Sequence, residues 1–142
     1  MPSGRRHYRI TLANALEAHD AALTRGGAPG VLSQTGVESA IGRPYTGYYP
    51  SIAAKCAALT ESVCRNHGFT DGNKRTCVLL VGMLLERSGY ELVPLPDEDI
   101  DDALEALAVH AATGEWAYAA LHTWYRARIK RRPRRKRRPL TK

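Results

Sequence analysis

Two apolar segments dominate the hydrophobic pattern, over residues 52–64 and 77–85, and a polar stretch at residues 66–76, NHGFTDGNKRT, separates them. In the first, Ile52, Cys56, Leu59, Val63 and Cys64 recur at helical spacing with Lys55 and Glu61 opposite, which predicts an amphipathic helix. The second, with Thr76 before it, is apolar almost all round and predicts a central buried helix whose N-terminus lies near Asn73. Gly82 costs that helix about 1 kcal/mol against alanine, and close helix packing is the expected reason for it. Ser88 and Gly89 predict its end.

The remaining pattern is also helical. Residues 8–23 carry Ile10, Leu12, Ala15, Leu16 and Leu23 at an imperfect helical period, with His19 and Asp20 expected in solvated or capping positions near the end. A glycine/proline turn at 26–30 precedes a short helix through Val37, Ala40 and Ile41, which Ser33 or Thr35 is placed to cap. Residues 43–50 hold Pro44, Gly47 and Pro50 with Tyr45, Tyr48 and Tyr49, a composition that suits a turn or small hairpin. After an extended connection at 90–96, Asp97, Glu98 and Asp99 read as acids at a helix start, favoured there by the helix dipole, rather than as a metal site. Ile100, Leu104, Leu107, Ala108 and Ala111 form that helix's buried face, and Trp116, Ala120, Trp124 and Ala127 are the expected core stripe of a last one. The fold class expected is all-α.

At 142 residues, 44% hydrophobic and 25% charged, the chain has the length and composition of one globular domain. No apolar run approaches the roughly 20 residues that span a bilayer. The basic start, MPSGRR, lacks the apolar core of a signal peptide, so a cytoplasmic protein is expected. Cys56, Cys64 and Cys77 form no C-x-x-C or Cys/His ligand pattern and fall on apolar helical faces, as reduced, buried cysteines do.

Charge changes the picture at the C-terminus. From Arg126 onward there are eleven Lys or Arg and no acid, so residues 1–125 hold ten basic against fourteen acidic side chains, a net −4 beneath the overall +7. The expected division is an N-terminal extension (1–7), a helical domain (8–128) and a basic tail (129–142), unstructured beyond about Lys130 because dense like charge with Pro133 and Pro139 buries no core. Two readings of the tail stand side by side: non-specific phosphate contact with RNA or another polyanion, and a solvated or partner-docking arm.

The candidate chemistry lies in the polar stretch. The first turn of a helix has unpaired N–H groups and a partial positive charge, a natural seat for phosphate. Gly72 lets the backbone approach such an anion, Arg75 offers a fork that matches phosphate oxygens, and Lys74 adds a compact positive charge. Asp71 beside that seat suits a magnesium ion held by one carboxylate plus phosphate oxygens and water. His67 lies four residues earlier at a helix end, with an unperturbed pKa of about 6.5 that suits proton abstraction from a hydroxyl. No P-loop, G-x-G-x-x-G or H-E-x-x-H occurs.

The string HGFTDGNKRT resembles the signature of the Fic/Doc family, H-x-F-x-(D/E)-(G/A)-N-(G/K)-R, at every specified position. Gly68 stands where the commonest Fic form has proline, and Lys74, where that form has glycine, points to the Doc branch. The likeness extends over roughly residues 8–125, through GGAPG at 26–30, ESAIGR at 38–43, RSGY at 87–90 and ATGE at 112–115. It implies a Fic/Doc helical domain using ATP and Mg2+, with His67 as base, Asp71 as metal ligand, and Gly72, Asn73, Lys74 and Arg75 on the phosphates. It also implies a flap at 43–51, carrying Arg43, Tyr45, Tyr48 and Tyr49, that clamps the target peptide.

A lysine at position 74, as in Doc, goes with a reversed nucleotide and transfer of the γ-phosphate to a threonine of elongation factor Tu. The resemblance thus implies the toxin of a type II toxin–antitoxin system, a kinase that arrests translation. The chain lacks the self-restraining string (S/T)-x-x-x-E-(G/N), so a cognate antitoxin is expected as partner. Two alternatives stand beside this: a Fic-type nucleotidyltransferase (AMPylation), and an inactive Fic-fold binding or regulatory module.

Overall fold

The computed structural model describes residues 6–66, 68–69 and 71–133. The Thr11 hydroxyl accepts from the Asn14 N–H and the Asn14 side chain accepts from the Thr11 N–H, a reciprocal cap that starts α1 (Leu12–Ala22) later than the 8–23 pattern suggests. Ser33 caps α2 (Gln34–Gly42), as expected. α3 (Ile52–Asn66) and α4 (Asn73–Ser88) flank the polar loop. Asp99 accepts from the Asp102 N–H at the start of α5 (Ile100–Thr113), and α6 (Tyr118–Arg128) begins where the Tyr118 N–H donates to Glu61 at 2.8 Å. The described residues are all-α apart from an antiparallel ribbon, β1 (Tyr90–Leu92) with β2 (Ile129–Arg131).

The core gathers on the α3/α4 pair. α3 packs against α2, α4, α5 and α6 and buries ten residues from Ile52 to Cys64, while α4 packs against α1, α3 and α5. α4 is less enclosed than its composition suggests: Leu79 is 42% exposed, and a Cβ added at the exposed Gly82 meets nothing within 4 Å. The expectation of close packing at Gly82 is therefore corrected, because that glycine lies on the open stripe of α4. The three cysteines are buried and free, and burial pushes the Cys56 thiol up, away from reactivity. Thr60 and Tyr125 satisfy each other's buried hydroxyls at 2.6 Å.

Two further expectations are corrected. On α6, Ala120 and Ala127 are exposed and the inward face is Leu121, Trp124, Tyr125 and Arg128, while Trp116 precedes the helix and stacks on His110 at 4.4 Å. Trp124 is buried as expected, but Leu121 and Arg128 take the inward places expected of Ala120 and Ala127, because Trp116, from which the stripe is spaced, lies outside the helix. Ile129–Arg131, expected to open the unstructured tail, instead pair with β1. Arg128 anchors the chain just before that pairing: its guanidinium lies 4.1 Å over the Trp124 ring, bonds Glu98 through Nε and Nη2 at 2.8 and 2.6 Å, and donates from Nη1 to the Trp124 carbonyl at 3.0 Å. Residues 1–5 and 134–142, the ends of the two expected extensions, lie outside the described residues. Among the described residues no helix is long and apolar enough to cross a membrane.

The Arg128 bonds, then the Leu95 N–H, bring the Glu98 carboxyl down from 4.5 to about 2. A depressed carboxyl binds its proton less readily folded than unfolded, so its contribution is complete above about pH 4.5 and lost as pH falls toward 2. Glu98→Gln is expected to flatten the acid limb of stability in that window, measured by chemical unfolding at stepped pH; an unchanged limb contradicts the pairing.

Candidate active site

The loop between α3 and α4 is tied down from three sides. Asn73, the first residue of α4, donates from its amide to the Phe69 carbonyl (3.0 Å) and accepts the Phe69 N–H (3.2 Å). The Phe69 ring, 2% exposed, stacks flat on His19 at 3.9 Å and 9°. His19, 4% exposed, donates from Nε2 to the Asp71 carbonyl at 2.8 Å, which fixes the proton on Nε2. The solvated or capping position expected for His19 is thus corrected: it is a buried strut, reached across 52 residues.

The third tie comes from the chain before α2. Val31 forms an antiparallel bridge with Phe69, and the N–H groups of Leu32 and Ser33 donate to the Gly68 carbonyl at 2.9 and 3.1 Å. A Cβ at Gly68 would lie 2.6 Å from the Val37 side chain and 3.1 Å from its backbone nitrogen, so the close approach of α2 excludes a side chain there.

Asp71 and the tip of α4 form the polar floor. Hydrogen bonds from the Gly72 N–H (2.8 Å) and the Ala28 N–H (3.3 Å), and then the charges of Arg75 and Lys74, hold the exposed Asp71 carboxyl below the usual carboxylate range. Gly72 starts α4 in the left-handed region, φ +78°, and supplies no side-chain cap. The first intrahelical bond runs from the Thr76 N–H to Gly72, and the N–H groups of Asn73, Lys74 and Arg75 have no acceptor among the described residues. Lys74 and Arg75 are exposed on this turn, and Arg75 donates to the carbonyls of Ala22 (3.4 Å) and Gly26 (3.2 Å).

Such a tip can hold an anion by its free N–H groups, its dipole and two cations. Among the described residues no group of three His, Cys, Asp or Glu gathers as a metal cage. Asp71 alone suits a hard cation that phosphate oxygens and water complete. His67 lies outside the described residues, between the end of α3 and the bonded Gly68. The side chain of Asn73, a residue expected on the phosphates, bonds the Phe69 backbone, and its own N–H stands at the helix tip.

Of the expected flap segment, Arg43 and Thr46 line a cavity of about 740 Å³ that also reaches Arg65 and Asn66, where α3 enters the loop. Arg43–Tyr45 is a single 3-10 turn, the first of the two forms expected for this segment. Arg43 pairs with Glu61 at 2.7 Å and bonds the Tyr49 hydroxyl at 3.0 Å; the Tyr45 hydroxyl donates to the Tyr8 carbonyl and accepts the Ile10 N–H. Tyr48 alone is fully open, 81% exposed. The segment bonded to the loop is 26–33, with Val31 44% and Leu32 67% exposed. Its signal in the sequence is two adjacent apolar residues after a glycine/proline turn.

A family model, that of the Fic/DOC family, matches residues 9–85, more than half of the chain. The chain belongs to the Fic/Doc family. Toxin Doc of Mycolicibacterium smegmatis is 39% identical over 72 residues, 47% of this chain and 54% of that protein. Protein kinase doc of Escherichia phage P1 is 34% identical over 111 residues, 75% of this chain and 83% of that protein. The chain thus spans about half the length of the first relative and most of the second. Both relatives are Doc proteins, which places this Fic/Doc domain with the Doc branch. The match covers α1 through most of α4, including every residue of the site described above.

If Asn73 staples the loop, Asn73→Ala destabilises the protein by about 1–3 kcal/mol with no nucleotide present, since it orphans both polar groups of Phe69. Thermal unfolding checks this, and an unchanged midpoint would return Asn73 to a purely ligand-facing role.

Proposed function

We propose that this protein is a Doc-like toxin, a protein phosphotransferase that moves the γ-phosphate of ATP to a hydroxyl of a translation factor, with a threonine of elongation factor Tu as the expected acceptor. The observation that carries the reading is the tip of α4: three N–H groups without acceptors among the described residues, with Asp71 held ionised beside them and Lys74 and Arg75 on the same turn. Lys74 in place of glycine, together with the name of the phage relative, supports phosphate over nucleotide transfer.

In this reading His67 takes the proton of the target hydroxyl as its oxygen joins the γ-phosphorus, and the bond to the bridging oxygen of the departing ADP breaks. The free N–H groups of the α4 tip and the Lys74 charge orient the phosphates, and Arg75 supplies a fork to their oxygens. Asp71 would hold magnesium, which when bound neutralises phosphate charge. His19 and Asn73 act as positioning residues through Phe69 and the Asp71 carbonyl. Target clamping falls to the expected flap at 43–51, whose Arg43 lines the cavity that reaches Asn66, together with residues 26–33, whose exposed Val31 and Leu32 border the loop. A cognate antitoxin restrains the activity; the toxin name of the mycobacterial relative supports such a partner.

Incubation with γ-labelled or α-labelled ATP and elongation factor Tu tests the reaction. Label from the γ position alone is expected, falling about 10²–10⁴-fold in His67→Ala, the range a general base contributes. Label arriving only from the α position makes the protein a nucleotidyltransferase, and growth arrest that survives His67→Ala makes it a binding module.

A further inference from the structure

The far end of α4 carries a second charged surface that the transfer reaction does not use. Its 16 residues make α4 about 24 Å long, and at its C-terminal end three separate parts of the chain converge. The Tyr8 N–H donates to the Ser88 hydroxyl at 2.8 Å, His7 packs edge-on against Tyr90, the Arg132 N–H donates to the Gly89 carbonyl at 2.9 Å, and Arg131 stands opposite Tyr90 in the ribbon. This brings Arg6, Arg9, Arg87, Lys130, Arg131 and Arg132, all exposed, to one pole.

Two of these cations are held in place before any ligand arrives. The Arg87 guanidinium lies 5.0 Å from the Tyr8 ring and donates to its hydroxyl at 2.9 Å, and the Arg9 guanidinium lies 4.9 Å from the Tyr45 ring. The ion pairs among the described residues are those of Arg43 and Arg65 with Glu61, His110 with Glu115 and Arg128 with Glu98, so none neutralises the pole. Glu91 opposite Lys130 and the exposed Glu86 are the local acids.

We propose that this pole is a docking surface for the phosphate backbone of structured RNA, built on the folded ribbon, the end of α4 and the N-terminal segment beside them. Five of the six folded cations are arginines, whose forks match phosphate oxygens. A membrane-surface site would instead present exposed aromatic or aliphatic side chains among its cations; here Tyr8, Tyr45 and Tyr90 are half-buried beneath arginines or within the ribbon. With no exposed aromatic at the pole among the described residues to stack on bases, binding is sequence-independent and electrostatic. The catalytic tip, a helix length away, stays open while RNA is held, which raises the local concentration of enzyme around an RNA-containing assembly. The choice of RNA over DNA rests on the translation-directed reading above; phosphate docking at the pole does not.

The test uses the intact chain as His67→Ala, so that toxicity does not limit expression, with a labelled RNA duplex read by fluorescence anisotropy, a DNA duplex of equal length and anionic phospholipid vesicles as competitors. RNA binding is expected to weaken at least about 10²-fold between 50 and 200 mM salt. The triple variant Arg87→Gln, Arg131→Gln, Arg132→Gln is expected to bind about tenfold more weakly or worse and to shallow the salt slope by about one for each phosphate no longer neutralised. Arg6→Gln with Arg132→Gln, two exposed side chains at the rim of the pole, gives the same direction with little folding risk, and an unchanged unfolding midpoint accompanies it. Parent-like RNA affinity in both variants, tighter binding of DNA, or vesicles displacing RNA overturns the proposal. Because His67 is already replaced, these outcomes are independent of whether the transfer reaction is as proposed.

Discussion

The reciprocal pair of hydrogen bonds between the Asn73 side chain and the Phe69 backbone is the constraint on which the site depends. A helix tip offers its free N–H groups to a ligand only if the chain leading into it is kept from folding back over them. Asn73 does this by fixing the backbone four residues earlier, and the fixation holds because Phe69 is buried against His19 and bridged by Val31. Nothing in this clamp consumes the N–H groups at the start of α4. His19 completes it by holding the Asp71 carbonyl, so the carboxylate is aimed by a buried ring while its own oxygens stay at the surface.

Much of the frame was legible in the sequence because it follows from local chemistry. Ser33 as a cap, Asp99 at the start of α5, Gly89 at the end of α4 and the buried face from Leu107 to Ala111 each need only a short window to be read. The motif loop was legible because several unlike polar residues crowd between two apolar helices. What was not legible is long-range. His19 becomes part of the site only when α1 lies along α4, and the bond from Val31–Ser33 to the loop depends on where α2 sits. The family resemblance implies a flap at the tyrosine-rich segment, and composition gives no sign that the Tyr45 hydroxyl is used on Tyr8 and Ile10 and the Tyr49 hydroxyl on Arg43. The ribbon at the C-terminus was hidden because a basic run gives no hint that Arg128 will be held by Trp124 and Glu98 just before it.

The same helix therefore organises two opposite surfaces. At its start, α4 presents N–H groups without acceptors among the described residues, beside a carboxylate and two cations; at its end it gathers the N-terminal segment and the ribbon into a cationic pole. The meeting of Arg131 and Arg132 of the ribbon with Arg6, Arg9 and Arg87, far apart in sequence, is a property of the fold. The Glu98–Arg128 pair sits at the seam, fixing where the last helix stops and the ribbon begins.

The central claim is that polyphosphate sits on the first turn of α4. Backbone amide shifts of the isotopically labelled protein, followed while ADP and magnesium are added, test it most directly. The account predicts the largest shifts at Gly72, Asn73, Lys74 and Arg75, with smaller ones at Asp71 and Ala28. Saturable shifts centred on the cationic pole, with the α4 tip unmoved, would contradict it.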